Sequence, residues 1–266
     1  MKMMRKSLIA VAVALLTVPA AVCAQEKVES TVGLDLVSHY MWRGIDKGGV
    51  TVIPTGKVSW KGASIQLQGT TGFDNEDPKE INLSLGYKLG PVNIGVTDYW
   101  TSGLDYEGRN IYFDWDAAKG AHRFEGNIGF TLPYFSLQAY TMFWGNDFQY
   151  KSLNDTQNRT NGKRAYSTYI ELRVPFYMGG IDWDLSAGMT PFEGAYSIAP
   201  FTNINGYQIV QKEHYYAGEV SCIMASLRAT KRLELGDMKV PIFAELHTNP
   251  YLKRANFVVG VSVQPF

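Results

Sequence analysis

The chain has 266 residues, with 25 basic against 25 acidic side chains, 13% aromatics, 26 Gly and two Cys. A balanced charge excludes a general nucleic-acid binder, which carries a basic excess, and two Cys exclude a small domain framed by disulfides. Beyond the N-terminus no stretch approaches the roughly 20 apolar residues of a membrane helix, and mean hydropathy is only −0.14.

The first residues, Met1-Lys2-Met3-Met4-Arg5-Lys6, precede an apolar run over 8–18 and the sequence Val22-Cys23-Ala24-Gln25. A basic start, a short apolar region and a small-x-small end predict a secretory signal peptide over 1–24, cut after Ala24, and a mature chain of 25–266. Lipidation of Cys23 is the alternative, but Val22 stands where Gly, Ala or Ser would be wanted. Without Lys2, Arg5 and Lys6 the 25 basic residues fall to 22 against 25 acidic, a net charge of −3. Only Cys222 remains, so an internal disulfide is impossible.

From there on, short stretches alternate apolar and polar residues, the period of a strand with two unlike faces. The first, over 28–43, sets Val32, Leu34, Leu36, Tyr40 and Trp42 against Thr31, Gly33, Asp35, His39 and Arg43. Its two large aromatics close the apolar face where a membrane-interface girdle would stand. Strand two puts Val52, Val58 and Trp60 opposite Thr55, Lys57 and Ser59, and strand three Ile65 and Leu67 opposite Gln66, Gln68 and Thr70. Strands four and five alternate about Leu85 and Ile94, with Lys88 and Asn93 on the other face. The loop over 101–120 contains an alternating segment, 111–115, that predicts an extension of the neighbouring strand. Strands six and seven carry Phe124, Ile128, Phe135, Leu137 and Phe143 against Arg123, Glu125 and Asn127.

Residues 145–163 are the most polar stretch; the sequon Asn154-Asp155-Thr156 reads there as loop composition. Strand eight alternates Ile170, Leu172 and Val174 with Glu171 and Arg173, and strand nine Ile181, Trp183 and Leu185 with Asp182, Asp184 and Ser186. A loop over 191–212 leads to strand ten, which includes Glu219 and whose alternation slips at Cys222-Ile223; a bulge is expected there. Strand eleven sets Ile242, Ala244 and Leu246 against Glu245 and His247. The last sets Phe257, Val259 and Val261 against Asn256, Gly260 and Ser262, before Pro265 and a C-terminal Phe266.

Short connections at 61–62, 89–91, 132–133, 178–180 and 235–237 alternate with mostly longer, polar ones. That asymmetry belongs to outer-membrane barrels, with short periplasmic turns and long external loops. A β-sandwich has no reason to sort loops by parity. The fold expected is therefore all-β: a single transmembrane antiparallel β-barrel of about twelve strands, ten or fourteen being the alternatives, with both termini periplasmic.

Val37-Ser38-His39-Tyr40-Met41-Trp42-Arg43-Gly44-Ile45 resembles the S-x-Y-x-[FW]-R-G-[IV] opening of the TorF-like porins, an uncharacterised family of outer-membrane barrels. The resemblance extends as pattern to the hairpins over 81–99 and 170–188 and to the closing strand. It implies an outer-membrane barrel and no particular chemistry.

Alternation predicts a lumen lined by Asp35, His39, Arg43, Lys57, Gln66, Gln68, Lys88, Arg123, Glu125, Glu171, Arg173, Asp182, Asp184, Glu219, Glu245 and His247. Such a wall makes a water-filled pore passing small hydrophilic solutes through weak, multi-site contacts; cross-lumen pairing that plugs the barrel is the alternative. Arg43 reads as a rim anchor beside Trp42, a constriction residue being the alternative. Asp182, Asp184 and Glu171 read as a solvated acidic patch rather than a metal site. The four His show no zinc spacing. His214 beside Glu213 and His247 beside Thr248 lie in no nucleophile motif, so an outer-membrane lipid-acting enzyme is the least favoured class. A closed structural or adhesive barrel is the second. No cofactor is expected. The partners expected are outer-membrane lipid, the assembly machinery of that membrane and small solutes.

Overall fold

A computed structural model describes residues 28–263 apart from 75–76, 78, 106, 109, 203–207 and 237. The leader over 1–24, Cys23 and the C-terminal Phe266 lie outside the described residues.

Its strands are β1 (Glu29–Val37), β2 (Met41–Trp42), β3 (Ile45–Asp46), β4 (Thr51–Trp60), β5 (Ala63–Gly72), β6 (Lys79–Leu89), β7 (Val92–Thr101), β8 (His122–Thr131) and β9 (Ser136–Gly145). They continue as β10 (Phe148–Gln149), β11 (Lys163–Arg164), β12 (Thr168–Met178), β13 (Ile181–Thr190), β14 (Tyr196–Thr202), β15 (Gln208–His214), β16 (Ser221–Leu235), β17 (Met238–Asn249) and β18 (Arg254–Val263). One short helix, α1 (Leu153–Asn158), stands between β10 and β11. No described helix is long and apolar enough to cross a membrane.

Twelve strands close into an antiparallel barrel in the order β1-β18-β17-β16-β13-β12-β9-β8-β7-β6-β5-β4. Closure is made by β1, which pairs β4 on one side and β18 on the other. The expected phase holds along the wall. Leu85 is 56% exposed, Ile94 52% and Leu185 49% on the outside, while the polar partners of the alternation face in. Every wall strand pairs on both edges, so the barrel leaves no open sheet edge. The expected bulge is present: Gly188 pairs Met224 and Met189 pairs Cys222, leaving Ile223 unpaired. Ile223 and Met224 are both buried.

The first strand ends earlier than expected. The chain leaves the wall after Val37, and residues 38–50 fold into the lumen around the small hairpin β2–β3, in which Met41 pairs Asp46 and Trp42 pairs Ile45. Tyr40 and Trp42 therefore face the interior and are not girdle residues. The physical reason is an interior core. Val37, Ile53, Phe243 and Val258 form one buried cluster against which Tyr40 and Met41 pack. Tyr169, Tyr216, Ala217, Ile223 and Met224 form a second, against which Trp42 and Ile45 pack. These aromatics lose more water there than at a lipid–water boundary, where one edge stays wet.

Three more expectations are corrected. Residues 111–115 form turns rather than a strand extension; Trp115 stacks on His122 at 3.9 Å. The stretch over 145–163 contains β10 and α1, whose Ser152 cap accepts from the Asp155 amide. Residues 191–220 hold the extra hairpin β14–β15, so the wall strand begins only at Ser221 and Glu219 lies exposed before it.

Candidate functional site

The lumen is organised by the tip of the β2–β3 hairpin, Arg43-Gly44. Both residues have positive φ, +51° and +80°, the signature of a type I′ turn. Gly44 is held against the wall on one side: its amide donates to His247 Nε2 at 3.1 Å and its carbonyl accepts from Asn249 Nδ2 at 3.0 Å. A Cβ there would stand 1.9 Å from the Ile223 carbonyl oxygen. Glu245 fixes the His247 tautomer by accepting from Nδ1 at 2.9 Å, leaving Nε2 as the acceptor.

From that anchor Arg43 reaches the far wall. Its Nη1 donates to Glu125 Oε2 at 2.5 Å, its Nη2 to Glu125 Oε1 at 2.8 Å, and Nη1 also to the Tyr216 hydroxyl at 2.9 Å. The Tyr99 hydroxyl adds a third donor to Glu125 at 3.1 Å. The guanidinium carbon lies 4.5 Å from the ring centre of Trp42, 4.1 Å from Tyr140 and 4.8 Å from Tyr169. Side-chain exposure is 8% for Arg43 and 2% for Glu125. Gly188 opposite Tyr169 makes room for that ring, since a Cβ would come within 2.1 Å of its hydroxyl oxygen. β8 and β17 lie five strands apart one way round the barrel and seven the other, so the hairpin bridges nearly opposite walls. A third tie runs to β6, where Lys47 pairs Glu80 and the Tyr40 hydroxyl donates to Glu80 at 3.0 Å.

Toward the short-turn rim lies a cavity of about 1090 Å³, bounded at its inner end by Tyr140. Of the residues expected to line the lumen, Lys57, Gln66, Lys88, Glu171 and Arg173 line this cavity. Ser64, Ser84, Asn93, Thr97, Asn127 and Gln138 supply much of the remaining polar wall. Asp35, Gln68, Asp182, Asp184, Glu245 and His247 also face inward but are engaged. Asp35 accepts from Ser262 at 2.5 Å, Gln68 from Asn82 at 3.5 Å and Glu245 from Arg228 at 2.7 Å. Asp184 accepts from Arg173 at 2.5 Å and Asp182 pairs with Arg232 at 3.0 Å. The expected acidic patch is thus divided into ion pairs, with Glu171 taken by the Tyr169 hydroxyl at 2.8 Å.

Three positions are corrected. Arg43 does not stand at the rim: it is buried inside the barrel, paired with Glu125 and Tyr216. His39 lies in the inserted segment, 3.6 Å from Asp46, because the wall ends at Val37. Glu219 lies exposed ahead of the wall strand β16. The sequence reading missed Tyr140, Tyr169, Tyr215 and Tyr216, which build the aromatic collar round Arg43. A hint lay in Tyr215-Tyr216, two large aromatics preceding a strand whose alternation slips at Cys222-Ile223.

A second buried pair lies on the outer face. His122 and Asp98 pair at 2.9 Å with the His122 side chain wholly buried. His122 Nε2 contacts the Tyr112 carbonyl, and the ring lies under Trp115. It fastens the loop over 102–121 onto the wall.

No family model matches the chain and no curated protein matches it. Among solved structures it is similar to the NanC porin at 8% identity and TM-score 0.40, covering 88% of this chain and 98% of that one. An outer membrane channel from Pseudomonas putida F1 aligns at 11% identity and TM-score 0.38, over 92% and 96%. The outer membrane phospholipase A from Escherichia coli aligns at 12% identity and TM-score 0.36, over 95% and 96%. Likeness at this level assigns no activity.

Proposed function

We propose that this protein is an outer-membrane barrel channel for the passive diffusion of small hydrophilic solutes, with the β2–β3 hairpin as its gate. The observation that carries the reading is the lumen: a polar cavity of about 1090 Å³ inside a wall whose outer face is apolar. An apolar exterior on a closed barrel is stable only where lipid covers it. An interior of amides, hydroxyls and ions offers weak contacts that solutes can leave again. In this reading the short-turn half is a roomy polar vestibule, and the pairs made by the hairpin close the lumen beyond it. The opening motif's resemblance to the TorF-like porins fits this reading, and its Trp42-Arg43-Gly44 core is the gate's tip. Outer-membrane lipid and the assembly machinery are the partners it requires.

We read the barrel as no enzyme. His122 and His247 have both ring nitrogens engaged, and His214 Nε2 is held by Glu193 at 3.0 Å. Neither His122 nor His247 is therefore free to take a proton from a nucleophile.

Planar-bilayer recording tests the proposal. The intact protein should stay closed with rare openings, whereas replacing residues 41–46 by a short Gly linker should give steady, salt-dependent steps. A linker variant that inserts as a folded barrel yet stays silent at every voltage would overturn the channel reading in favour of a closed structural barrel.

A further inference from the structure

Above the hairpin, on the long-loop side, a cleft of about 440 Å³ lies between the loop after β9 and the β14–β15 hairpin. Arg123, Tyr150, Tyr196, Tyr215 and Glu213 are on its lining. Arg123 stands two residues before Glu125 on β8 and faces the same way, so it lies on the lumen side of the wall.

The ion pairs of the interior are distributed unevenly about this cleft. Arg43 is matched by Glu125, Lys47 by Glu80, Arg173 by Asp184, Arg228 by Glu245 and Arg232 by Asp182. Arg123 has no such match: among the described residues no carboxylate comes within ion-pair distance of it, and its guanidinium carbon rests 5.1 Å over the Tyr215 ring. Asp147 lies near enough to feel that charge, but its carboxylate is buried and accepts from the Ser167 amide at 3.1 Å. Glu213, the carboxylate on the lining, is exposed on β15. Below the hairpin the same holds for Lys57 and Lys88, which line the inner cavity with no carboxylate within ion-pair distance among the described residues. Cations unmatched by carboxylates therefore stand on both sides of the gate, while the carboxylates at the gate itself, Glu80 and Glu125, are neutralised.

A guanidinium seated on an aromatic face in a partly enclosed cleft presents its planar donor fork to one class of partner, a carboxylate or similar oxyanion. Tyr215 beneath it and the half-buried Tyr196 on the same lining suit a flat apolar body. We propose that Arg123 is the outer binding site for a small carboxylate carrying an apolar group, and that Lys57 and Lys88 receive the same anion beyond the gate. This inference rests on the channel reading for its transport role but not for the binding site.

The test is calorimetric titration of the detergent-solubilised full barrel with benzoate, and with benzamide as the neutral isostere. Benzoate should bind, and benzamide at least tenfold more weakly. Arg123→Gln should weaken benzoate at least tenfold, and Arg123→Lys should weaken it less. Heat-modifiable gel mobility verifies that each variant is folded. Absence of benzoate binding to the intact barrel, equal binding of benzamide, or an Arg123→Gln variant within twofold of the intact protein would overturn the site. If Arg123→Gln fails to fold, Arg123→Lys decides: benzoate binding equal to that of benzamide in that variant would overturn the site, and retained preference would support it. Silence of the linker variant in bilayers, with benzoate binding intact, would remove the channel reading and leave the site standing.

Discussion

Replacing Gly44 by Ala should unseat the hairpin while sparing the barrel. The new Cβ would meet the Ile223 carbonyl oxygen at 1.9 Å and its carbon at 2.9 Å; both are backbone atoms within the wall, so neither can swing aside. Gly44 also sits at φ +80°, where a side chain costs roughly 1–2 kcal/mol. Displacing it breaks its hydrogen bonds with His247 and Asn249, each contributing about 0.5–1.5 kcal/mol net. Together these give roughly 2–5 kcal/mol against the seated hairpin, a shift of about 30-fold to several thousand-fold in its occupancy. The wall keeps its strand pairing, so heat-modifiable mobility should be retained and the open fraction in planar bilayers should rise. A folded Gly44→Ala barrel with conductance indistinguishable from the parent would refute the reasoning. The tip would then be a decoration of the lumen and not its closure.

Four further outcomes are expected. Arg43→Ala and Glu125→Ala should each destabilise the closed state by about 3–5 kcal/mol, because each leaves a buried charge alone, while the double variant should cost less than their sum; a double-mutant cycle read by denaturation in detergent measures the coupling. Arg at Leu85, Ile94 or Leu185 on the outer face should cost roughly 2–4 kcal/mol near mid-bilayer, and Arg at the adjacent inward positions Ser84, Asn93 or Ser186 much less; equal costs would mean the strand phase is inverted. In a Cys222→Ser background, a Cys at position 155 should react with an impermeant thiol reagent on intact cells and one at position 62 should not; the reverse pattern would invert the orientation. The Lys212 ammonium donating to Glu193, with His214 adding a second contact, holds that carboxyl below its ordinary value of 4.5. A lowered carboxyl pKa stabilises above the unfolded value and is lost as pH falls, so limited proteolysis of the β14–β15 hairpin should be flat above pH 4.5 and rise below it.

Much of the barrel was legible because its signal is local. A period of two needs only neighbouring residues, so Leu34, Leu85, Ile94, Leu185 and Val259 declared the outer face, and the parity of loop lengths declared which turns share a rim. The slip at Cys222-Ile223 declared the bulge for the same reason. What alternation could not declare was where a strand leaves the wall. Tyr40 and Trp42 continue the period of Val32, Leu34 and Leu36, and nothing local distinguishes a lipid-facing aromatic from one turned inward. That choice was made by residues some 100 to 200 positions away: Ile223, His247 and Asn249 receiving Gly44, and Tyr140, Tyr169 and Tyr216 surrounding Arg43. The fate of each charge was decided the same way. Glu125 and Lys57 look alike in sequence as polar members of alternating strands, yet closure brings Arg43 to Glu125 and, among the described residues, no carboxylate within ion-pair distance of Lys57. The sequence by itself determined a closed wall with a polar inside. Only the tertiary structure decided that the inside is bridged by a hairpin, because a contact across a barrel depends on which strands closure sets opposite one another.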